Sequence, residues 1–302
     1  MRLRLPLSVL RRLPQSPVSP SPAYAGETGP GPGPDFICIG QAKAGTRWLY
    51  DQFRACDGVW MPPIKEINFL VGRAFNIPNR QAMSLADALT GEPRDVEFLQ
   101  RFSTYRGLPL DFDWYGRLFL PKNGNISGDV SPTYSVLTGD EVRTIAPHLP
   151  TTKIVLLLRD PVSLAWSMLC QFQRSNWLPS SLFDNWSFVR LLLARAQNRQ
   201  KLYATRIWPA WEPSFRGRIA VWFLDDIAAR PEIVRDGICE FLGAPTGPWA
   251  LPPDENAKSR LRKMPLSDAM RANLAAYFRD EIRGCAQMFG GAAQSWASRY
   301  NF

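Results

Sequence analysis

In this 302-residue chain, the octet Gly40-Gln41-Ala42-Lys43-Ala44-Gly45-Thr46-Arg47 has the residue types and spacing best suited to holding an anion. It follows a short apolar run, residues 36–39. It precedes a stretch, residues 46–53, that sets Trp48, Leu49 and Phe53 on one helical face. Small residues between a strand and a helix let backbone N–H groups turn toward an anion, and the helix N-terminus adds partial positive charge. Lys43 stands inside the loop, where its ammonium can reach a bridging or terminal oxygen of a phosphate. A Walker A loop places Lys and then Ser or Thr after its second glycine, whereas here Thr46 and Arg47 follow Gly45. The hydroxyl that would ligate magnesium is therefore out of place. The expectation is a phosphate loop that works without a metal, and a P-loop kinase or ATPase is the disfavoured alternative.

Composition narrows the chemistry further. The single histidine, His148, rules out multi-histidine metal sites, and any Ser-His-Asp triad would have to use it. It lies in the turn-like segment APHLPTTK, away from the phosphate loop. The five cysteines, Cys38, Cys56, Cys170, Cys239 and Cys285, are widely spaced with no C-x-x-C pair, which points to a reducing, cytoplasmic setting. With 45% hydrophobic residues and 11 Trp, the chain can build a large core. No run approaches the roughly 18 apolar residues of a membrane helix. The net charge of +9 suits an anionic partner, whether nucleotide, acidic polysaccharide or nucleic acid. A basic nucleic-acid-binding module is thus a second alternative. Apolar runs surround most of the aromatics, however, including Trp114, Tyr115 and Phe119, which suits core better than base-stacking platforms.

The elements that must position the loop are legible in outline. Residues 1–34 carry eight of the 27 prolines and no sustained periodicity, so they read as a disordered basic tail, with residues 35–302 as one domain. Lys153–Leu158 is a continuous apolar run typical of a strand buried on both faces. Asp160-Pro161 follows as N-cap and first residue of a helix reaching about Gln173, which leaves Arg159 at the strand end. Residues 219–224 read as another strand, and a helix runs from Pro231 to a stop at Gly243. Residues 265–284 read as one more helix, with Leu266, Met270, Leu274, Phe278 and Ile282 every four residues. Strands alternating with helices imply an α/β fold, a parallel β-sheet flanked by helices.

Four segments, in order along the chain, resemble the sulfotransferases that use 3′-phosphoadenosine 5′-phosphosulfate (PAPS), above all the Golgi heparan-sulfate type and its bacterial relatives. FICIGQAKAGTRWLYDQF with MPPIKEINFL is similar to the 5′-phosphosulfate loop and the segment after it. IVLLLRDPVSLAWSM resembles the 3′-phosphate element, in which an Arg ends a strand and a Ser follows eight residues later; here these are Arg159 and Ser167. GDVSPTY resembles the acidic-x-Ser/Thr-Pro-x-Tyr segment, and SRLRKMP a basic loop closing over the nucleotide. The resemblance implies a P-loop-like fold and a sulfuryl transfer from PAPS to a hydroxyl or amine of an unidentified acceptor, with carbohydrate as a candidate class. It implies a donor site of Lys43, Ala44, Gly45, Thr46, Arg47, Arg159, Ser167, Ser259, Arg260 and Arg262, with no metal. It also implies Glu66 as general base and Lys43 beside the reacting group. The chain departs from the pattern at Asn68, where many relatives carry His, and at Val130, where heparan-type enzymes often carry Lys. Asp129 is read as an acceptor-site or structural carboxylate.

Overall fold

A computed structural model of the protein describes residues 29–72, 92–104, 110–175, 180–195, 198, 201–255 and 264–302. Four strands, β1 (Phe36–Gly40), β2 (Gly128–Val130), β3 (Lys153–Leu158) and β4 (Ile219–Phe223), form one parallel sheet in the order β2-β1-β3-β4. Side chains alternate across a strand, and both faces of the central pair are covered. Ile37 and Ile39 of β1 join Ile154, Leu156 and Leu158 of β3 in one core, while Phe36, Cys38, Val155 and Leu157 enter a second core on the other side. Burial on both faces is why these strands read as unbroken apolar runs.

The helices are α1 (Thr46–Arg54), α2 (Pro93–Ser103), α3 (Phe112–Arg117), α4 (Gly139–Ile145), α5 (Pro161–Arg174), α6 (Trp186–Ala194) and α7 (Ala204–Trp211). They continue as α8 (Leu224–Ala229), α9 (Pro231–Leu242), α10 (Asp268–Tyr277), α11 (Arg279–Phe289) and α12 (Ala292–Arg299). Helices α1 and α9 bury Trp48, Leu49, Phe53, Ile238 and Leu242 in the second core. Helices α5, α7 and α10–α12 contribute Val162, Leu169, Ile207, Leu274, Ile282 and Trp296 to the first. Leaving β1 the chain crosses to β2 on one side, and leaving β3 it crosses to β4 on the other. The strand order therefore reverses between β1 and β3, and crevices for ligands open at the carboxyl ends of strands at such points.

Two local expectations change. Residues 265–284 do not form one helix: α10 ends and α11 begins around the fully buried Phe278, whose backbone (φ −98, ψ 14) leaves helical geometry. The Phe278 N–H still donates to Leu274 O (3.0 Å) and its carbonyl still accepts from Ile282 N–H (2.8 Å), so a four-residue spacing runs through the joint unaltered. Gly284 does not stop a helix but lies inside α11, where a Cβ would come within 2.8 Å of Thr205 Cγ2. Leu224 likewise opens α8 rather than closing β4. Ahead of β1 the chain is already held from Gly29 onward. The Arg117 guanidinium donates to Gly29 O, Lys122 Nζ to Gly33 O, and Thr152 Oγ1 to Pro34 O.

Candidate active site

The loop after β1 closes against the end of β3. The Gln41 N–H donates to Leu157 O, Gln41 Oε1 accepts from the Arg159 N–H at 3.4 Å, and Lys43 O accepts from Arg159 Nη1 at 3.0 Å. Residues 116 apart in sequence thus meet at the switch point. Within the loop, the Ala44 N–H donates to Gln41 O, and Gly45 precedes α1 in the left-handed conformation, φ 98. A Cβ at Gly45 would stand 3.1 Å from Ile227 Cδ1 and 3.3 Å from Leu224 Cδ1, so both conformation and space call for glycine. No side chain caps α1 and its first turn carries no acidic residue, so the partial positive charge of that helix end is not offset locally. Thr46 is buried at this turn. The Arg47 side chain points along the outside of α1, with Nε 2.7 Å from the Asp51 carboxylate.

Arg159 is largely withdrawn from solvent, and burial pulls its guanidinium below its ordinary pKa against the opposing pull of Asp160 and Asp225. Arg159 does not take Asp160 as a hydrogen-bond partner. Asp160 caps α5, accepting from the Val162 N–H at 3.0 Å and from Ser163 Oγ at 2.9 Å. It also accepts from Tyr300 Oη at 2.7 Å and Arg299 Nη1 at 3.2 Å, across 140 and 139 residues of chain. With its oxygens so engaged and only 1% of the residue exposed, Asp160 is not placed as a magnesium ligand. Ser167 lies half-buried on α5, one turn beyond Ser163. No signal in the sequence links Tyr300 and Arg299 to this site.

Glu66 reaches the same edge of the sheet through β2. Its N–H donates to Val130 O at 3.2 Å, while the Asn68 N–H donates to Ser131 Oγ at 3.1 Å and Thr133 Oγ1 donates to Asn68 Oδ1 at 2.7 Å. Five non-glycine residues among those described have positive φ, and three are Asn, which tolerates the left-handed region. The other two are Lys43 (φ 73) and Glu66 (φ 68). Strained backbone of this kind is kept where the surroundings over-determine it, commonly at functional sites. The Glu66 carboxylate is 31% exposed and receives Lys65 Nζ at 3.1 Å.

Asp129 is enclosed beneath this edge. Its carboxylate accepts from Ser131 Oγ (2.5 Å), Tyr134 Oη (2.6 Å) and Tyr115 Oη (3.0 Å). Burial raises its pKa above the usual carboxylate range, and these hydrogen bonds hold it back. Of its two sequence readings, the structural one fits this enclosure. Val130 is buried beside it. Trp114, Tyr115 and Phe119 are core, as expected, and His148 is exposed and stacked on Phe112 with ring centroids 4.0 Å apart. Ser259, Arg260 and Arg262 lie outside the described residues. Among the described residues, no His, Cys, Asp and Glu side chains gather in threes as a metal site would require. No helix there is long and apolar enough to cross a membrane.

No protein-family model matches the chain, and no curated protein matches it. Among solved structures the chain is similar to a sulfotransferase from Alicyclobacillus acidocaldarius, at 22% identity and a TM-score of 0.62, over 87% of this chain and 98% of that one. It also aligns with the sulfotransferase domain of the Synechococcus PCC 7002 olefin synthase, at 17% identity and a TM-score of 0.45, over 84% and 97% of the two chains. The match to the Alicyclobacillus structure shows a shared fold: a parallel sheet flanked by helices, in the arrangement expected from the sequence.

Proposed function

We propose that the protein is a PAPS-dependent sulfotransferase whose donor site lies at the β1/β3 switch point. The observation that carries this reading is the junction of the Lys43 loop with Arg159, beside the uncapped N-terminus of α1. Two separated anion sites suit a donor with a 5′-phosphosulfate and a 3′-phosphate. The loop N–H groups, the first turn of α1 and the Lys43 ammonium would hold the first. Arg159, with one of its five N–H donors engaged by Lys43 O, and Ser167 would hold the second. Arg47 would contribute its backbone N–H, since its side chain is paired with Asp51. Ser259, Arg260 and Arg262 would close over the nucleotide. The tail to residue 34 would be appended to a single catalytic domain.

When bound, the donor supplies an electrophilic sulfuryl group. Glu66 would accept the proton of the incoming hydroxyl or amine, and Lys43 would stabilise negative charge on the departing phosphate oxygen. The Lys65 ammonium lies 3.1 Å from the Glu66 carboxylate and would help to fix its orientation. Nothing in this scheme calls on a metal ion.

Calorimetry with 3′-phosphoadenosine 5′-phosphate (PAP), set against ATP with magnesium, tests the reading. The wild type should bind PAP in EDTA. Lys43→Ala and Arg159→Ala should each lose about 1.5–3 kcal/mol, the worth of one charge-assisted contact. A folded protein that ignores PAP, or two folded variants with undiminished affinity, would remove the donor assignment.

A further inference from the structure

The stretch that carries Glu66 is held in a conformation its residues do not favour, since Glu66 (φ 68) and Asn68 (φ 58) both have left-handed backbone. Ser131 ties this stretch to the sheet. It directly follows β2, is fully buried, and donates its N–H to Cys38 O of β1 at 3.1 Å. A serine hydroxyl has one proton to give and lone pairs with which to receive. The Ser131 hydroxyl donates to Asp129 Oδ1 at 2.5 Å, so its lone pairs are left to the Asn68 N–H at 3.1 Å. Val130, between the two, turns its side chain into the second core and accepts the Glu66 N–H on its carbonyl at 3.2 Å. The amides on either side of Ile67 are thus bonded to consecutive residues at the end of β2. The second Asp129 oxygen serves another purpose: Oδ2 accepts from Tyr134 Oη at 2.6 Å and Tyr115 Oη at 3.0 Å, and Tyr115 stacks on Phe69 with ring centroids 4.4 Å apart.

We propose that Ser131 is a positioning residue for Glu66, with Asp129 Oδ1 orienting its hydroxyl. This role rests on the general-base reading of Glu66 given above. The direction in which a side chain leaves the backbone follows φ, so the aim of the Glu66 carboxylate depends on the left-handed turn being kept. Such backbone persists only where its surroundings over-determine it. Removing the Ser131 hydroxyl takes away the partner of the Asn68 N–H and leaves the Glu66 N–H bond to Val130 O as the only tie between these amides and β2. The remaining contacts do not replace it. Thr133 Oγ1 grips the Asn68 side chain rather than its backbone, and Lys65, which meets the Glu66 carboxylate, belongs to the same stretch and moves with it. A general base must stand within hydrogen-bond reach of the proton it takes, and a misplacement of about 1 Å can cost about 10²-fold in rate.

The test uses water as the acceptor and follows labelled sulfate released from labelled PAPS with the protein in excess, beside PAP calorimetry and melting curves. The bond from sulfur to the phosphate oxygen breaks and its electron pair leaves with PAP, while the water oxygen bonds to sulfur and the water proton passes to Glu66. Ser131→Ala should slow release about tenfold or more with PAP affinity within about twofold. In a Glu66→Gln background the same substitution should cost less than about twofold, because the group it positions is already gone. Tyr115→Phe, which keeps the ring on Phe69 but removes one bond to Oδ2, should lose stability yet release sulfate within about twofold of wild type. A Ser131→Ala variant as fast as wild type would overturn the proposal, as would an equal loss with and without Glu66→Gln, which marks general damage. Should wild type bind PAP but release no sulfate above buffer, hydrogen exchange of the Glu66 amide decides: it should quicken about tenfold or more in Ser131→Ala but not in Tyr115→Phe, and unchanged exchange would overturn the proposal. In these outcomes the donor reading stands. Glu66→Gln at the wild-type rate removes the base and this role with it but spares the donor site, whereas a wild type that does not bind PAP removes all three.

Discussion

Replacing Tyr300 by Phe removes one hydrogen bond to a buried carboxylate and little else. The Tyr300 hydroxyl donates to Asp160 Oδ2 at 2.7 Å, and burial together with that bond and the neighbouring negative charge raises its pKa. A hydrogen bond to a charged group contributes about 1.5–3 kcal/mol. Oδ2 keeps Ser163 Oγ at 2.9 Å and Arg299 Nη1 at 3.2 Å, and Oδ1 keeps the Val162 N–H, so the lower end applies. A loss of about 1.5 kcal/mol lowers Tm by about 3–5 °C in a domain of this size. Asp160→Ala should cost more, about 3–5 kcal/mol, because it also uncaps α5 and leaves Arg299 only Asp225 as an anionic partner among the described residues. In the Asp160→Ala background, Tyr300→Phe should then cost close to nothing, a coupling of about 1.5 kcal/mol. Urea unfolding of the four proteins in the cycle measures it. Because Asp160 directly follows Arg159, PAP affinity should fall several-fold in Tyr300→Phe. A Tyr300→Phe variant within about 0.5 kcal/mol of wild type, additive with Asp160→Ala, would refute the clamp.

Glu66→Gln should slow single-turnover sulfuryl transfer by roughly 10²–10⁴ with PAP affinity nearly intact, and a rate within a few-fold of wild type would take Glu66 out of the mechanism. Asp129 has a folded pKa raised by burial, so its protonated form is favoured in the folded state. That contribution is present below the unfolded value of about 3.9 and is lost as pH rises through the folded value. The Tm of wild type minus that of Asp129→Asn should therefore fall from acid toward neutral pH; a flat or rising difference across that window would contradict the sign.

The parts of the site that were legible in the sequence are those held by near neighbours. A strand, a small-residue turn and a helix start are set by contacts within a few positions, so the strand–loop–helix unit around Lys43 and Gly45 was visible before any fold was known. The unbroken apolar run of β3 and the Asp160-Pro161 cap were visible for the same reason. Glu66 was a candidate only through resemblance, because nothing in its own neighbourhood distinguishes a base from a surface glutamate paired with Lys65. The break at Phe278 was invisible, because a buried side chain can leave helical geometry without disturbing the spacing of its neighbours.

Contacts between distant segments belong to the tertiary structure. Lys43 and Arg159 meet because the strand order reverses between β1 and β3, and local propensity does not encode that order. Tyr300 reaches Asp160 only after the C-terminal helices have packed on the first core. The sequence by itself marked the starts of β1, α1, β3, α5, β4 and α9, through local backbone conformation and side-chain period. Only the packed sheet decided which of their residues face one another, because burial of both faces of β1 and β3 brings segments more than a hundred residues apart to a single edge.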